Sequence, residues 1–320
     1  MNNRYLFLDK VKGVLILLVV IGHILPGILR ETFVRYMIYS VHIPIFLGIS
    51  GYLLNLQTFK KLSMFTFLEK YGKKLIRPWF IAVLVYTLWS AKNSVLAGNI
   101  IAIIVALCKN LVLPWYHLWY IPAFISYLVI TKIVLSKFKI KEAFILLGIV
   151  AIILLIATQY ARFSTNVNFL KKFFLVFQFD LYIYFYLGML IRMKNSINTC
   201  KEKISKYLIG IVIISLLIRA GMFFMKGYLT EVSSAYYLLI NIPLLLVIVL
   251  NSTCETKTNI LVKIGQNSLP IYLWHIIFIL LVKYLLHITG YNPNGTLFVI
   301  LSCLLNCLFI YFVTRKKLTD

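Results

Sequence analysis

The chain has 320 residues, of which 62% are hydrophobic and only 13% are charged, and its formal net charge is +24. Soluble domains carry charge on about a quarter of their residues, so this composition excludes an ordinary soluble globule. Because the basic residues lie between apolar runs rather than on one face of a soluble fold, we interpret the charge as a sign of membrane topology and not of nucleic-acid binding.

Repeated apolar runs of about 20 residues predict an all-α integral membrane bundle of about ten transmembrane helices. Basic residues concentrate in alternate loops, which predicts cytoplasmic N- and C-termini in a single membrane domain over residues 1–320 with no separate soluble domain. The predicted spans are Gly13–Leu29, Phe33–Leu54, Leu75–Ala91, Leu118–Leu135, Ala143–Gln159, Phe173–Ile191, Tyr207–Met225, Ala235–Leu250, Leu269–Leu286 and Thr296–Val313. The apolar stretch Ser94–Leu113, interrupted by Lys109, is predicted to be an interfacial or re-entrant helix.

Each of the first two predicted spans carries one histidine in its interior, His23 and His42. Ionisable residues inside a membrane are uncommon and mark candidate functional sites. His23 lies roughly 9 Å from the Leu29 end of its predicted helix, and His42 roughly 13 Å from the Phe33 end of the next, which predicts similar depths. Each imidazole is either a packing residue that bridges helices or, near neutral pH, a general base; His42 also precedes Pro44, which frees a carbonyl that needs a partner.

Charged residues near these spans extend the candidate site. Lys12 precedes His23 by eleven residues, close to three helical turns, so both side chains are predicted on one face roughly 16 Å apart along the axis. The basic cluster Lys73, Lys74 and Arg77 at the start of the third span is either a positive-inside signal or a clamp for phosphate, in which Lys74 and Arg77 share a helix face.

Four further polar residues are possible members of the site. Asp180 and Arg219 lie at similar depth in adjacent antiparallel spans, which predicts a structural ion pair, although Asp180 could orient an imidazole instead. Asp9 is too far from His23 on the same helix and is predicted to pair with Lys12 or another cation on the cytoplasmic side. His275 in the ninth span either packs between helices or lines the cytoplasmic entrance. The five cysteines have no metal-binding spacing, and no metal site is predicted.

The chain resembles the membrane-bound acyltransferase family 3, notably its fucose and surface-polysaccharide O-acetyltransferases. The likeness is carried by LDKVKGVLILLVVIGH from Leu8, HIPIFLGISGY from His42, KKLIRPW from Lys73 and IGQNSLPIYLWH from Ile264, with a looser match in HLWYIPAF. The family's basic residue, ten intervening residues and histidine fall on Lys12 and His23. Its paired-arginine motif falls on Lys74 and Arg77, where lysine keeps the charge but loses the planar fork.

The resemblance implies transfer of an acetyl group from cytoplasmic acetyl-CoA to a hydroxyl of a cell-surface or lipid-linked glycan by a multi-pass protein of the plasma membrane. Lys12, Lys73, Lys74 and Arg77 would meet the phosphates of acetyl-CoA, His23 would act as base, and His42 is a candidate oxyanion donor. The alternative is a multi-pass transporter or flippase with an intramembrane relay of His, Asp and Arg. We expect no corresponding broken helices in two halves of the chain, the usual pointer to such a transporter.

Overall fold

A computed structural model describes residues 5–25, 32–114, 117–164, 169–193, 201–225, 234–252 and 256–315. Their regular secondary structure is entirely helical, which confirms the predicted fold class over this part of the chain. The α-helices are α1 (Leu6–Ile24), α2 (Phe33–Tyr39), α3 (His42–Leu53), α4 (Leu56–Lys61), α5 (Met64–Tyr71), α6 (Arg77–Ser90), α7 (Lys92–Leu96), α8 (Ile100–Val112), α9 (Tyr120–Lys137), α10 (Ile140–Phe163), α11 (Phe169–Phe177), α12 (Tyr182–Met193), α13 (Lys201–Phe224), α14 (Ser234–Leu250), α15 (Ile260–Gln266), α16 (Ser268–Ile288) and α17 (Thr296–Arg315). A π-helix, Gly72–Ile76, precedes α6, and a 3-10 turn, Phe179–Leu181, precedes α12.

Six helical segments of the described chain are long and apolar enough to cross a membrane, or seven if one bent pair is a single span. The six are Phe33–Leu53, Tyr120–Lys137, Ile140–Phe163, Ile204–Phe224, Ser268–Ile288 and Thr296–Arg315. The bent pair, Lys171–Phe177 and Phe179–Met193, turns by 45°. The protein is therefore a helical membrane protein, whereas ten spans and cytoplasmic termini stay predictions.

The helices that carry the most apolar surface present it outwards. On α10, α13 and α17, isoleucine and leucine side chains are half exposed or more, including Ile145, Ile156, Leu217 and Leu308. Continuous apolar surface of this extent is covered by lipid in a membrane protein, since water would penalise it. The apolar helix α8 is likewise exposed along most of its length but has only 13 residues, which fits the prediction that this stretch does not span the bilayer.

The chain divides into two compact units, one formed by Met1–Leu53 with Leu187–Asp320 and the other by Leu54–Tyr186. In the first unit, α1 packs against α15 so closely that the two main chains touch. A Cβ atom at Gly13 would overlap the Leu261 carbonyl oxygen, and one at Gly265 would overlap the Asp9 carbonyl oxygen. Only glycine fits at such a crossing, so these two residues fix the axial position of α1 against the segment that leads into α16.

The second predicted span is interrupted at Ser40 and Val41, where α2 ends and α3 begins. Pro44 has no N–H, so the Ser40 carbonyl four residues earlier loses its helical donor. The Asn241 side chain in α14 donates to this carbonyl at 2.8 Å. The prediction that Pro44 frees a carbonyl in need of a partner is confirmed.

In the second unit, a buried lysine joins α9 to the end of α4. Lys132 is 2% exposed, and its ammonium donates to the carbonyls of Phe59, Lys60 and Leu62 at 3.1, 2.9 and 2.5 Å. These carbonyls belong to the end of α4 and the residue after it, where helical partners are missing and the helix dipole is negative. Lys132 therefore fixes the turn that follows α4.

Candidate active site

Two histidines from distant parts of the first unit lie in contact. The ring centroids of His23 in α1 and His275 in α16 are 5.2 Å apart, with 44° between the ring planes. Each histidine lies ten residues beyond the glycine at which the two chain segments cross, Gly13 or Gly265. At about 1.5 Å per residue, both helices advance roughly 15 Å from that crossing, which brings the two rings to one level.

This contact corrects the depths expected for the two residues. With a cytoplasmic N-terminus, the predicted spans place His23 nearer the outer end of its helix and His275 near the cytoplasmic entrance. Instead α1 begins at Leu6, before the predicted start of its span, and Leu25 is already extended. His23 thus lies in the last turn of its helix and not in its interior; the predicted continuation to Leu29 falls outside the described residues.

Hydrogen bonds define the protonation of two imidazoles. Nδ1 of His275 lies 3.0 Å from the Ile271 carbonyl oxygen and 2.8 Å from that of Tyr272, and Nδ1 of His42 lies 2.7 Å from that of Ile38. A carbonyl only accepts, so we assign the hydrogen to Nδ1 in both rings. In the neutral state, Nε2 of each ring then carries a lone pair and can accept a proton.

Tyr39 connects the two histidines of the first two spans. Its ring meets His23 edge-on with 6.4 Å between centroids and meets His42 with 5.0 Å. Gly22 makes the approach possible, because a Cβ there would lie 3.0 Å from the Tyr39 ring. The three predicted histidines therefore belong to one cluster, in which Tyr39 contacts His23 and His42, and His275 contacts His23. Nothing in the sequence pattern marks Tyr39.

The N-terminal half of α1 carries a buried ion pair. Asp9 is 4% exposed, and its carboxylate accepts from the Lys12 ammonium at 2.8 Å and from the Gln266 amide at 3.3 Å. The predicted Asp9–Lys12 pair is confirmed. Because Gln266 follows the glycine of the α1–α15 crossing, the same contact that brings the histidines together also holds Asp9 and so orients Lys12.

The predicted phosphate clamp lies in the second unit, on the π-helix and the first residue of α6. Lys73 pairs with Glu69 at 2.6 Å, and the hydrogen bond and charge of Lys73 lower the pKa of the Glu69 carboxyl below its ordinary value. Lys74 and Arg77 are exposed. The π-helix has more residues per turn than an α-helix, so Lys74 and Arg77 do not follow α-helical spacing there. Their shared face stays a prediction.

The two residues of the predicted Asp180–Arg219 ion pair belong to different units of the chain, and the pair stays a prediction. Asp180, 1% exposed, accepts from Arg162 at 3.0 Å and from Gln159 at 3.3 Å. Arg219 donates to hydroxyl groups in the first unit.

Comparison of the chain with models of known protein families gives a match. The family model for the acyltransferase domain matches residues 5–315, nearly the whole chain. The chain belongs to this acyltransferase family. Within the described ranges, no group of three His, Cys, Asp or Glu side chains could hold a metal ion.

Two curated relatives share shorter segments with this acyltransferase. Nodulation protein NolL of Mesorhizobium japonicum is 29% identical over 139 residues, which are 40% of this chain and 36% of the relative. Nodulation protein NolL of Sinorhizobium fredii is 42% identical over 59 residues, 16% of each protein. The matches therefore span about a third of the first relative and about a sixth of the second. No solved structure gives a significant match. Family membership and the apolar helices together make the protein a membrane acyltransferase.

Proposed function

We propose that this acyltransferase moves an acetyl group from cytoplasmic acetyl-CoA to a hydroxyl of a cell-surface or lipid-linked glycan, with His23 as the general base. The observation that carries the proposal is the contact between His23 and His275 at 5.2 Å, in a family of acyltransferases. An imidazole held against a second imidazole is suited to proton transfer at neutral pH.

The proposed reaction begins when His23 takes the proton of the acceptor hydroxyl. The oxygen then forms a bond to the thioester carbonyl carbon, and the carbonyl electrons move to its oxygen. Collapse of this tetrahedral intermediate breaks the carbon–sulfur bond, and the CoA thiolate takes the proton from His23, so the enzyme returns to its starting state. A relay through an acetylated histidine is the other order of events, in which the imidazole attacks first.

His275 is proposed to position the base. With its hydrogen on Nδ1, its Nε2 carries a lone pair. We propose that in the reacting state this nitrogen accepts a hydrogen from His23 and so sets the His23 tautomer. That choice leaves the other His23 nitrogen as an acceptor for the hydroxyl proton. The arrangement resembles the way in which a third group orients the base of a nucleophilic triad.

We propose that His42 donates to the oxyanion only when its ring carries two protons. Its Nδ1 hydrogen is committed to the Ile38 carbonyl, so Nε2 donates only when the ring carries a second proton. In that state, a buried cation would stabilise the developing negative charge strongly. In the neutral state, His42 acts as an acceptor instead.

The donor is proposed to enter from the cytoplasmic half of α1. The Lys12 ammonium has three N–H donors. One of them pairs with the Asp9 carboxylate, and the others can donate to a phosphate. Lys12 and His23 lie on one uninterrupted helix roughly 16 Å apart along its axis, an interval along which the pantetheine arm could extend. Lys73, Lys74 and Arg77 are proposed as further phosphate ligands, with ten spans in the plasma membrane and both termini cytoplasmic.

One observation favours a second candidate, a transporter or flippase. The bent pair of helices around Gln178 carries the buried Asp180, and broken helices with ionisable residues are frequent in transporters. Only one such pair occurs among the described residues, whereas an inverted repeat predicts corresponding breaks in two halves. Solute flux into proteoliposomes without acetyl-CoA would support this candidate.

The test uses purified full-length protein in proteoliposomes with acetyl-labelled acetyl-CoA and the surface glycan of the source cells as acceptor. We expect CoA release and glycan acetylation detected by mass spectrometry. His23→Ala should lower the rate by about 10²–10⁴-fold. His287→Ala, an exposed histidine of α16, is the matched control and should leave the rate within about twofold. Normal acetylation by the folded His23→Ala protein would refute the assignment of the base.

A further inference from the structure

The first unit contains a buried arginine whose charge is not matched by a described carboxylate. Arg219 in α13 is 2% exposed, and the salt bridges of the described residues do not include it. Arginine does not lose its proton in proteins, and an isolated charge inside a membrane protein is costly. Such a residue persists either because its neighbours disperse the charge or because it binds an anion.

The neighbours of Arg219 are neutral. Its Nε donates to the Ser40 hydroxyl at 3.1 Å, and Nη2 donates to the Tyr237 hydroxyl at 2.8 Å. The guanidinium carbon lies 3.5 Å from the centroid of the Tyr36 ring and 4.9 Å from that of Tyr237. Cation–π contacts and hydroxyl groups stabilise the cation and orient it, but they leave its full positive charge.

Arg219 and Tyr36 also have hydrogen-bonding groups that the contacts described above do not use. A guanidinium has five N–H donors, and the two bonds above use only two of them. The Tyr36 hydroxyl, on a residue that is 3% exposed, has no hydrogen-bond partner among the described residues. Buried polar groups are normally satisfied, so unassigned donors beside an unmatched cation point to a missing acceptor. A planar guanidinium presents its donors in the spacing of two carboxylate or phosphate oxygens.

The same short segment faces the histidine cluster and Arg219. Tyr39 contacts the rings of His23 and His42, while Tyr36 and Ser40, on either side of it in sequence, contact the guanidinium. A molecule bound at Arg219 would thus lie next to the residue that touches the proposed base.

We propose that Arg219, with the Tyr36 hydroxyl, binds an oxyanion, a phosphate or a carboxylate, carried by the acceptor glycan. This inference rests on the proposed function and specifies the acceptor as an anionic one. The bidentate pairing with Arg219 anchors the acceptor while a hydroxyl elsewhere in the molecule reaches His23. Phosphate on a lipid-linked sugar and carboxylate on an acidic sugar share this chemistry.

The test measures binding without acyl donor, so that it does not depend on catalysis. Full-length protein in neutral detergent is titrated with glucose 1-phosphate, glucuronate and glucose, and the thermal midpoint is followed. We expect a saturable rise with one or both anions and none with neutral glucose. A larger effect of glucose 1-phosphate indicates a phosphate source, and a larger effect of glucuronate indicates a carboxylate.

Substitutions locate the effect. Arg219→Gln should weaken anion binding by about tenfold or more, the size of a charge-assisted pair. Arg219→Lys and Tyr36→Phe, which keep the charge or the ring, should weaken it by about threefold to tenfold. The matched control is Arg315→Gln, an arginine over the Tyr311 ring in the same unit but at an exposed helix end, which should bind like wild type.

Three results would overturn the inference. The first is the lack of an anion-specific rise in the wild-type protein. The second is unchanged affinity in both Arg219→Lys and Tyr36→Phe, which also decides the matter if Arg219→Gln does not fold. The third is a loss of fold in Glu231→Gln equal to that in Arg219→Gln, since Glu231, outside the described residues, would then be the counter-ion. His23→Ala should keep the anion response; failure of acetylation with this response intact would refute only the proposed reaction.

Discussion

Lys132 in the second unit and Arg219 in the first are both cations with almost no exposure, but their partners differ. Lys132 donates to three main-chain carbonyls at the end of a helix, where the dipole is negative. The partners of Arg219 are hydroxyl groups and an aromatic ring, and these neutral groups do not balance its charge. Burial alone therefore does not identify a charged side chain as functional. A cation compensated by the protein serves stability, whereas an uncompensated one is available to a ligand.

The largest expected effect follows from Lys132. Lys132→Met keeps the apolar stem but leaves three carbonyls without their donor, and we expect a loss of about 2–4 kcal/mol in the free energy of unfolding. Acetylation per folded molecule should stay unchanged, as measured after size-exclusion purification. Lys137→Met, an exposed position in the same helix, is the control and should change stability by less than about 0.5 kcal/mol. A large fall in the specific activity of folded Lys132→Met would contradict the claim that Lys132 serves stability alone.

The reverse pattern is expected for the histidine cluster of the first unit. His275→Asn keeps a side chain able to bond the carbonyl of its own helix but removes the ring that contacts His23. We expect a fall in kcat of up to about 100-fold, within the range for acid–base groups, with little change in thermal midpoint. The pH dependence of kcat should shift as well, because the tautomer of His23 is no longer set. The control His287→Asn should have the kcat of the wild-type protein. If His275→Asn also has the wild-type kcat, the contact between His23 and His275 only packs two helices.

A smaller effect distinguishes the exposed cations of the second unit. Arg77 is exposed and makes no salt bridge to a described carboxylate, whereas Lys73 is already paired with Glu69. Arg77→Gln should raise KM for acetyl-CoA by about tenfold, the value of one charged phosphate contact. Lys73→Gln should raise it by less than about threefold. Equal effects of the two substitutions would show that the surface pair does not restrain Lys73.

The smallest effect is expected from Glu69→Gln, which frees Lys73. We expect KM for acetyl-CoA to fall by no more than about twofold, because exposed ion pairs are weak and screened. The lowered pKa of Glu69 means that the pair is complete above the ordinary value of 4.5 and is lost only as the pH falls through the lower folded value. The difference between the two proteins in acetyl-CoA titrations should therefore be constant from pH 6 to pH 8 and should shrink at high salt. A rise in KM would contradict this account.

Local features of the chain were predictable from residues close together in sequence. Hydropathy placed most helices, since a run of apolar residues depends on local composition alone. The pairing of Asp9 with Lys12 follows from a spacing of three residues, and the free carbonyl near Pro44 follows from its missing N–H. The span with the bend at Gln178, where φ is +46°, was not predicted, because nothing in the local composition marks a left-handed residue there.

Partners across helices were not predictable. The sequence by itself determined the membrane class, the helical fold and the set of ionisable residues within the apolar runs. Only the tertiary structure decided that His23 meets His275 and that Arg219 meets the hydroxyl groups of Ser40 and Tyr237. The physical reason is that such contacts depend on lateral order and axial offset. In the first unit that offset is set where the main chains touch at Gly13 and Gly265, a contact between residues far apart in the chain.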